Sequence, residues 1–197
     1  VIDFEQLGID DNKYKDKAKE IINKLNSDLD GFHFLKNKKE LNKYTDLIIL
    51  LIYLDSIDNN SILPEYQNSF FFDYYTEEGS NSKFTSQRGT EGNRKFFIPA
   101  NGSQIDIYLN KLREWFQNNL IEDNLYYLLL CIISESVEKV SNTQGTFHDF
   151  PRNQYDSRAL NNLQLRVPKF DNILSEVNGH ILGKEQDSLE FIKEVPP

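Results

Sequence analysis

The sequence predicts a mainly α-helical fold with a few short strands. Three observations predict it. Residues 13–27 place Ala18, Ile21, Ile22 and Leu25 at the i, i+3, i+4, i+7 spacing of an amphipathic helix. The apolar run LIILLIYL over residues 47–54 sits inside a helical stretch from 37 to 57. Two more helical periods follow Pro99 and Glu122, whereas strand-like alternation resumes only near Gly179.

Each element follows from its residues. The run at 47–54 is eight residues long, far short of the ~20 that a membrane helix needs, so it reads as a buried, central helix with no membrane role. Residues 68–75 (NSFFFDYY) are short and aromatic, which fits a strand or an aromatic-lined loop. Residues 76–95 carry three Gly and several Ser and Asn without a core pattern, and read as a long surface loop. After Pro99, Asn101 or Ser103 can cap a helix running to Asn119, with Ile105, Leu109, Leu112 and Phe116 as its buried stripe and Trp115 beside it. Glu122 and Asp123 open a helix to Val140, acidic as a helix N-terminus favours. Its centre, LLLCII, reads as core, with Cys131 as a small buried apolar residue. Residues 179–183 read as a strand and 187–194 as a helix capped by Asp187, the βα join of an α/β sheet.

Composition narrows the function. The chain has 197 residues, of which 39% are hydrophobic and 27% charged, enough for a sizeable core. One Cys excludes an internal disulfide, and three scattered His show no metal-ligand spacing. There is no signal-peptide pattern at residues 1–9 and no Met anywhere, so the Val1 start reads as an internal cut in a longer protein. Asn is abundant (21) and Ala rare (3), a bias that points to an A+T-rich genome.

The net charge of -9 argues against a nonspecific polyanion binder only as a whole-chain average. Residues 1–80 carry -7 and residues 171–197 carry -4, but residues 81–170 carry +2. In that middle segment Lys83, Arg88, Arg94 and Lys95 lie in one loop region, and Arg152, Arg158, Arg166 and Lys169 in another. If the intervening helices bring the two regions together, eight cations share one face and can contact several phosphates. The plainer reading is that loops are polar and Arg is common in them.

Four pieces carry a family resemblance: RKFFIPANGSQID (94–106), LREWFQNNLIEDN (112–124), VEKVSNTQGTF (137–147) and YDSRALNNLQL (155–165). They resemble, in order and spacing, the D12 class of site-specific DNA adenine-N6 methyltransferases, the Dam-like and FokI-like modification enzymes. KAKEIINKLNS and FFFDYYTEEGS resemble the helix and aromatic-acidic stretch that precede these pieces in that class. The resemblance touches most of residues 13–165, with 35–67 and 82–92 as insertions. This chain departs from the pattern at Ile98-Pro99, at Tyr155 in place of a Trp, and in the HDFPRN run at 148–153.

The resemblance implies a helical target-recognition region of an α/β Rossmann-like methyltransferase, ending in a βα unit of the catalytic sheet. It divides the chain into a helical part with an insertion (1–75), a target-recognition region with DNA-contact loops (76–170), and the start of the second part of the catalytic fold (171–197). The family's Phe-x-Gly-x-Gly loop for S-adenosylmethionine and its Asp-Pro-Pro-Tyr motif are both missing from these residues. The complete enzyme is expected to methylate adenine N6 in double-stranded DNA, in the cytoplasm, as part of a restriction-modification system; the chain alone is expected to be inactive. The absent catalytic segments, or a complementary subunit of a split enzyme, are the expected partners. Asp187 matches an acceptor for the cofactor's adenine amino group, although an Asp at that place also serves as a helix N-cap.

The expected DNA-facing residues are Lys83, Arg88, Arg94, Lys95, Asn142, Thr143, Gln144, Gly145, Arg152, Asn153 and Arg158, because Arg and Lys hold phosphates while Asn, Gln and Arg pair with base edges. Residues 141–145 also read as a helix C-terminal cap with Gly145 left-handed. His148-Asp149 lacks a nucleophile or metal partner and reads as a loop pair, and no catalytic or metal residue is expected. The competing function class is a noncatalytic helical protein-interaction module with an acidic surface.

Overall fold

The structure is a computed structural model and describes residues 2–27, 44–85, 89, 91–143 and 154–166. Its helices are α1 (Asn12–Ser27), α2 (Thr45–Ser56), α3 (Phe70–Tyr75), α4 (Pro99–Gln117) and α5 (Asp123–Lys139). An antiparallel hairpin, β1 (Lys83–Thr85) and β2 (Glu91–Asn93), pairs Phe84 with Gly92. Short 3-10 turns stand at Asn59–Ser61, Pro64–Tyr66 and Ser157–Leu160.

The apolar period of α1 buries Ala18 and Ile22 against α2, whose Leu47 to Ile52 and Leu54 are all buried, as the all-round apolar sequence predicts. Aromatic contacts continue the stack: Tyr14 meets Tyr53 edge-on at 6.1 Å, and Tyr53 lies over Trp115 of α4 at 6.0 Å. Pro99 occupies the first turn of α4, where a missing N–H costs nothing. Helix α4 in turn packs on α3, α5 and the Pro64–Tyr66 turn.

Helix α4 buries polar residues as well as apolar ones. Its apolar stripe is Ile105, Tyr108, Leu112 and Trp115; Leu109 and Phe116, expected in that stripe, are only half-buried beside it. Asn101, Asp106, Asn110, Lys111 and Glu114 are buried on its other sides. Buried polar groups must be paired, and these are paired with main-chain groups of the irregular segments and of α3. Asn101 donates to Asn161 O and accepts from Leu163 N at 2.9 Å each. Asp106 accepts from Phe71 N and Phe72 N at 2.8 Å. Asn110 donates to Asn68 O, Lys111 to Ser61 O, and Glu114 accepts from Leu63 N. Asn101 is therefore no helix cap, contrary to expectation: it lies inside the first turn and holds a distant segment.

Residues 162–166 have no regular secondary structure, and three of their amides are taken by side chains of three different helices. Leu163 N bonds Asn101 of α4, Leu165 N bonds Asp55 of α2, and Arg166 N bonds Ser136 of α5. Their buried Leu163 and Leu165 complete the core.

Other expectations are corrected. Residues 70–75 form a helix where a strand or loop was expected, because Asp106 occupies the free N–H groups of its first turn. Gly102 lets this helix approach α4 closely: a Cβ there would stand 2.4 Å from Thr76 Cγ2 and 3.2 Å from Phe72 Cα. The expected surface loop at 76–95 contains the hairpin. Cys131 is exposed, because the core face of α5 runs through Leu129, Ile132, Ile133 and Ser136 on the other side. The first part of the expected 37–57 helix, the 179–183 strand and the 187–194 helix lie outside the described residues. Among the described residues, no helix is long and apolar enough to cross a membrane.

The fully buried Tyr108 hydroxyl donates to Asp55 Oδ1, the same oxygen that accepts Leu165 N. Asp55→Ala is expected to strand both donors and lower the unfolding free energy by about 1–3 kcal/mol per stranded donor, measured by urea titration. Burial raises the Asp55 carboxyl above its ordinary value, outweighing the Tyr108 and Leu165 bonds. Its stabilising contribution is thus greatest in the protonated form, present below about pH 4 and lost as pH rises through the raised value. Asp55→Asn keeps an oxygen for both donors and removes the charge. It is expected to be at least as stable as the parent at pH 7, with the difference fading on acidification.

Candidate nucleic-acid interface

The two cation-bearing regions meet at residues 94–97. This short segment runs from the hairpin towards α4, and Asn142, three residues beyond α5, is built into it. Asn142 has no solvent exposure. Its N–H donates to Phe96 O at 2.8 Å, its Nδ2 donates to Lys95 O at 2.8 Å and Gln154 O at 3.2 Å, and its Oδ1 accepts from Asp156 N at 2.9 Å. One side chain thereby joins three stretches of chain far apart in sequence.

Neighbouring bonds reinforce the junction. Phe96 N and Phe97 N donate to Tyr75 O, and Thr76 forms a parallel bridge with Phe97, tying the end of α3 to the same segment. The Tyr155 hydroxyl donates to Phe97 O. Burial, with the nearby Glu77 charge, pushes that hydroxyl up to about 12, so it stays a proton donor. Ser141 closes the end of α5 by donating to Glu138 O and shares a hydrogen bond with Thr143. This realises part of the helix-capping reading of 141–145.

The expected contact residues separate into groups. Arg94 Nη1 donates to Asn81 O at 3.1 Å and also reaches Ser82 O, bracing the base of the hairpin. Lys95 pairs with Glu77 at 2.7 Å and is only 18% exposed. Arg158 Nη2 donates to Thr143 O. Thr143 is buried. Lys83 stands exposed at the start of β1. Arg88, Gln144, Gly145, Arg152, Asn153 and Asp187 lie outside the described residues. Thr143 on one side and Gln154 and Asp156 on the other are tied to this junction, through Arg158 and Asn142.

The polar anchors Asp106, Asn101, Asn110 and Tyr155 were not singled out by sequence reading as site-building residues. The only local signal for Asp106, Asn101 and Tyr155 was their place inside the quoted pieces, and Asn110 lies outside them; the partners are about 35 to 60 residues distant. The hollow between α3 and α4, about 380 Å³, is lined by Asn59, Gln67, Asn68, Phe72, Ser103 and Asp106. Both Asp106 oxygens are engaged there, so it offers no free acid or base. Among the described residues, no three His, Cys, Asp or Glu side chains are placed to hold a metal.

Comparison with known proteins extends the picture. The chain is 24% identical over 168 residues to the type II methyltransferase M.NlaIII of Neisseria lactamica, a match covering 85% of this chain and 45% of that protein. Its relatives are type II methyltransferases. The modification methylase StsI of Streptococcus sanguinis is 33% identical over 82 residues, covering 41% of this chain and 12% of that protein. The type II methyltransferase M.FokI of Planomicrobium okeanokoites is 32% identical over 104 residues, covering 52% of this chain and 15% of that protein. The chain thus matches less than half the length of each. No family profile and no solved structure matches it.

Asn142→Ala is expected to leave the Asp156 amide and the Lys95 and Gln154 carbonyls without their partner. The cost is about 2–4 kcal/mol of stability, from several buried hydrogen bonds lost together, read from urea unfolding. Asn142→Asp keeps the acceptor but sets an oxygen against two carbonyls, and is expected to be no better than the Ala variant at pH 7.

Proposed function

We propose that the chain is the DNA-recognition part of a site-specific DNA methyltransferase of the D12 class, whose complete form moves a methyl group from S-adenosylmethionine to adenine N6 in a restriction-modification system. The observation that carries this reading is the Asn142 junction, which joins the two net-basic loop regions of a chain whose relatives are type II methyltransferases.

In this reading the residues divide their work. Lys83, Arg88, Gln144, Gly145, Arg152 and Asn153 meet the duplex, and Arg94, Lys95, Asn142, Thr143 and Arg158 build the platform from which they reach it. An enzyme that modifies a base inside a duplex must extrude that base, so the displaced backbone needs cations on rigidly held loops. The sequence-based partners remain double-stranded DNA and the missing catalytic segments or a complementary subunit. S-adenosylmethionine would supply the methyl group; its expected acceptor Asp187 lies outside the described residues, and the Phe-x-Gly-x-Gly and Asp-Pro-Pro-Tyr motifs expected to hold it and the target base are missing from the sequence. The isolated chain is accordingly expected to give no turnover with labelled S-adenosylmethionine.

Fluorescence anisotropy with a labelled duplex at several salt concentrations tests the reading. Binding is expected at low salt and to weaken as salt rises. The triple variant Lys83→Ala, Arg88→Ala, Arg152→Ala is expected to flatten the salt dependence by about 0.9 per lost phosphate contact in the log–log slope. Arg158→Ala is expected to act instead through stability. Absence of DNA binding at low salt would favour the protein-interaction module and overturn the proposal.

A further inference from the structure

We propose that Phe70 and Tyr74 form a stacking platform for an unstacked nucleobase of the bound DNA, an inference that rests on the DNA-recognition reading above. These residues sit one turn apart on α3 and are 46% and 41% exposed, with ring centroids 5.0 Å apart and planes tilted by 33°. Two aromatic rings left open to water at adjacent positions of a short helix are not needed for the core, which α3 joins through Phe71 and Tyr75.

The platform is rigidly seated and continuous with the junction. Phe70 contacts Phe71 edge-on at 5.7 Å and Tyr75 at 5.7 Å, and Phe71 stacks on Tyr75 at 5.5 Å. Those inner rings meet Phe97 and Phe96 at 6.2 and 5.6 Å, in the segment to which Asn142 is bonded. The helix is fixed at one end by Asp106 and at the other by the Thr76 hydroxyl, which donates to Phe72 O.

The surroundings specify a base over the alternatives. A protein partner needs roughly 800 Å² of surface per side, far more than two rings bordered by Asn68, Ser69 and Asp73. A phosphate is disfavoured by Asp73, whose carboxyl the Ser69 and Ser80 hydroxyls hold below its ordinary value. A nucleobase is planar and uncharged, and stacks on any exposed aromatic face whatever its identity. The adjacent amide side chain of Asn68, whose Oδ1 is taken by Phe70 N, keeps its N–H donors for a base edge.

The test uses the full chain, a fluorescein-labelled single-stranded oligonucleotide and the variant Phe70→Leu with Tyr74→Leu, which keeps apolar volume but removes both rings. The variant is expected to bind about tenfold more weakly with an unchanged log–log salt slope, while Phe70→Tyr with Tyr74→Phe binds like the parent. Unchanged affinity of the Leu variant, or a loss that comes with a changed slope, would overturn the platform and leave the DNA-recognition reading standing. Absence of DNA binding by the parent chain at low salt would overturn both. Should the Leu variant unfold, Phe70→Trp serves instead: the oligonucleotide is expected to quench its exposed indole above the constant signal of buried Trp115, and no quenching would contradict stacking.

Discussion

The fold depends on one helix that is buried on every side. Helix α4 cannot satisfy its polar face with water, so Asn101, Asp106, Asn110, Lys111 and Glu114 bond to main-chain groups of loops and of α3. Those loops need the same bonds, because an unpaired N–H or C=O taken out of water costs about 1–3 kcal/mol. Each party supplies what the other lacks, and irregular segments are thereby ordered in a fold whose described residues hold a single two-stranded sheet. The Lys111–Glu114 pair, with both side chains under 10% exposed, belongs to this scheme. Isolated buried ion pairs add little net stability, but each charge here also bonds a loop main-chain group, at Ser61 and at Leu63, and so fixes where the loop runs.

The same device recurs at the junction. Asn142 does for residues 94–97 and 154–156 what α4 does for 61–72 and 161–163: a buried amide serves donors and acceptors that have no strand partner. Three cations expected to meet DNA are drawn into this framework. Arg94 braces the hairpin, Lys95 closes on Glu77 and Arg158 grips Thr143. Positive charge in this region therefore has two uses, shaping the loops and facing their ligand, and composition cannot tell the two apart.

What was legible in the sequence was local. The periods of α1, α2, α4 and α5 give those helices wherever they are described, within a residue or two except at the start of α4, which begins at Pro99 and not after a cap at Asn101 or Ser103, because an apolar stripe is written in neighbouring residues. Helix α3 was not legible: six residues rich in Phe and Tyr favour a strand by propensity, and the group that makes them helical, Asp106, lies 34 residues away. The stripe of α4 was read through Leu109 and Phe116, although Tyr108 and Trp115 face inward, since the site of an amphipathic aromatic residue depends on a partner such as Asp55. Asn142 belonged to a quoted piece of the family pattern, but whether it touches a ligand or builds the loop depends on long-range bonds that no local pattern encodes.

Amide hydrogen exchange, followed along the chain with and without a DNA duplex at low salt, tests the division between scaffold and contact most directly. In the free chain, the amides of Leu63, Phe71, Phe72 and Leu163, each bonded to a buried side chain of α4, should exchange as slowly as the interior of that helix. Addition of the duplex should add protection within residues 83–95 and 142–158 and leave α1 and α2 unchanged. Fast exchange at those four amides, or added protection centred on α1 and α2, would contradict the account.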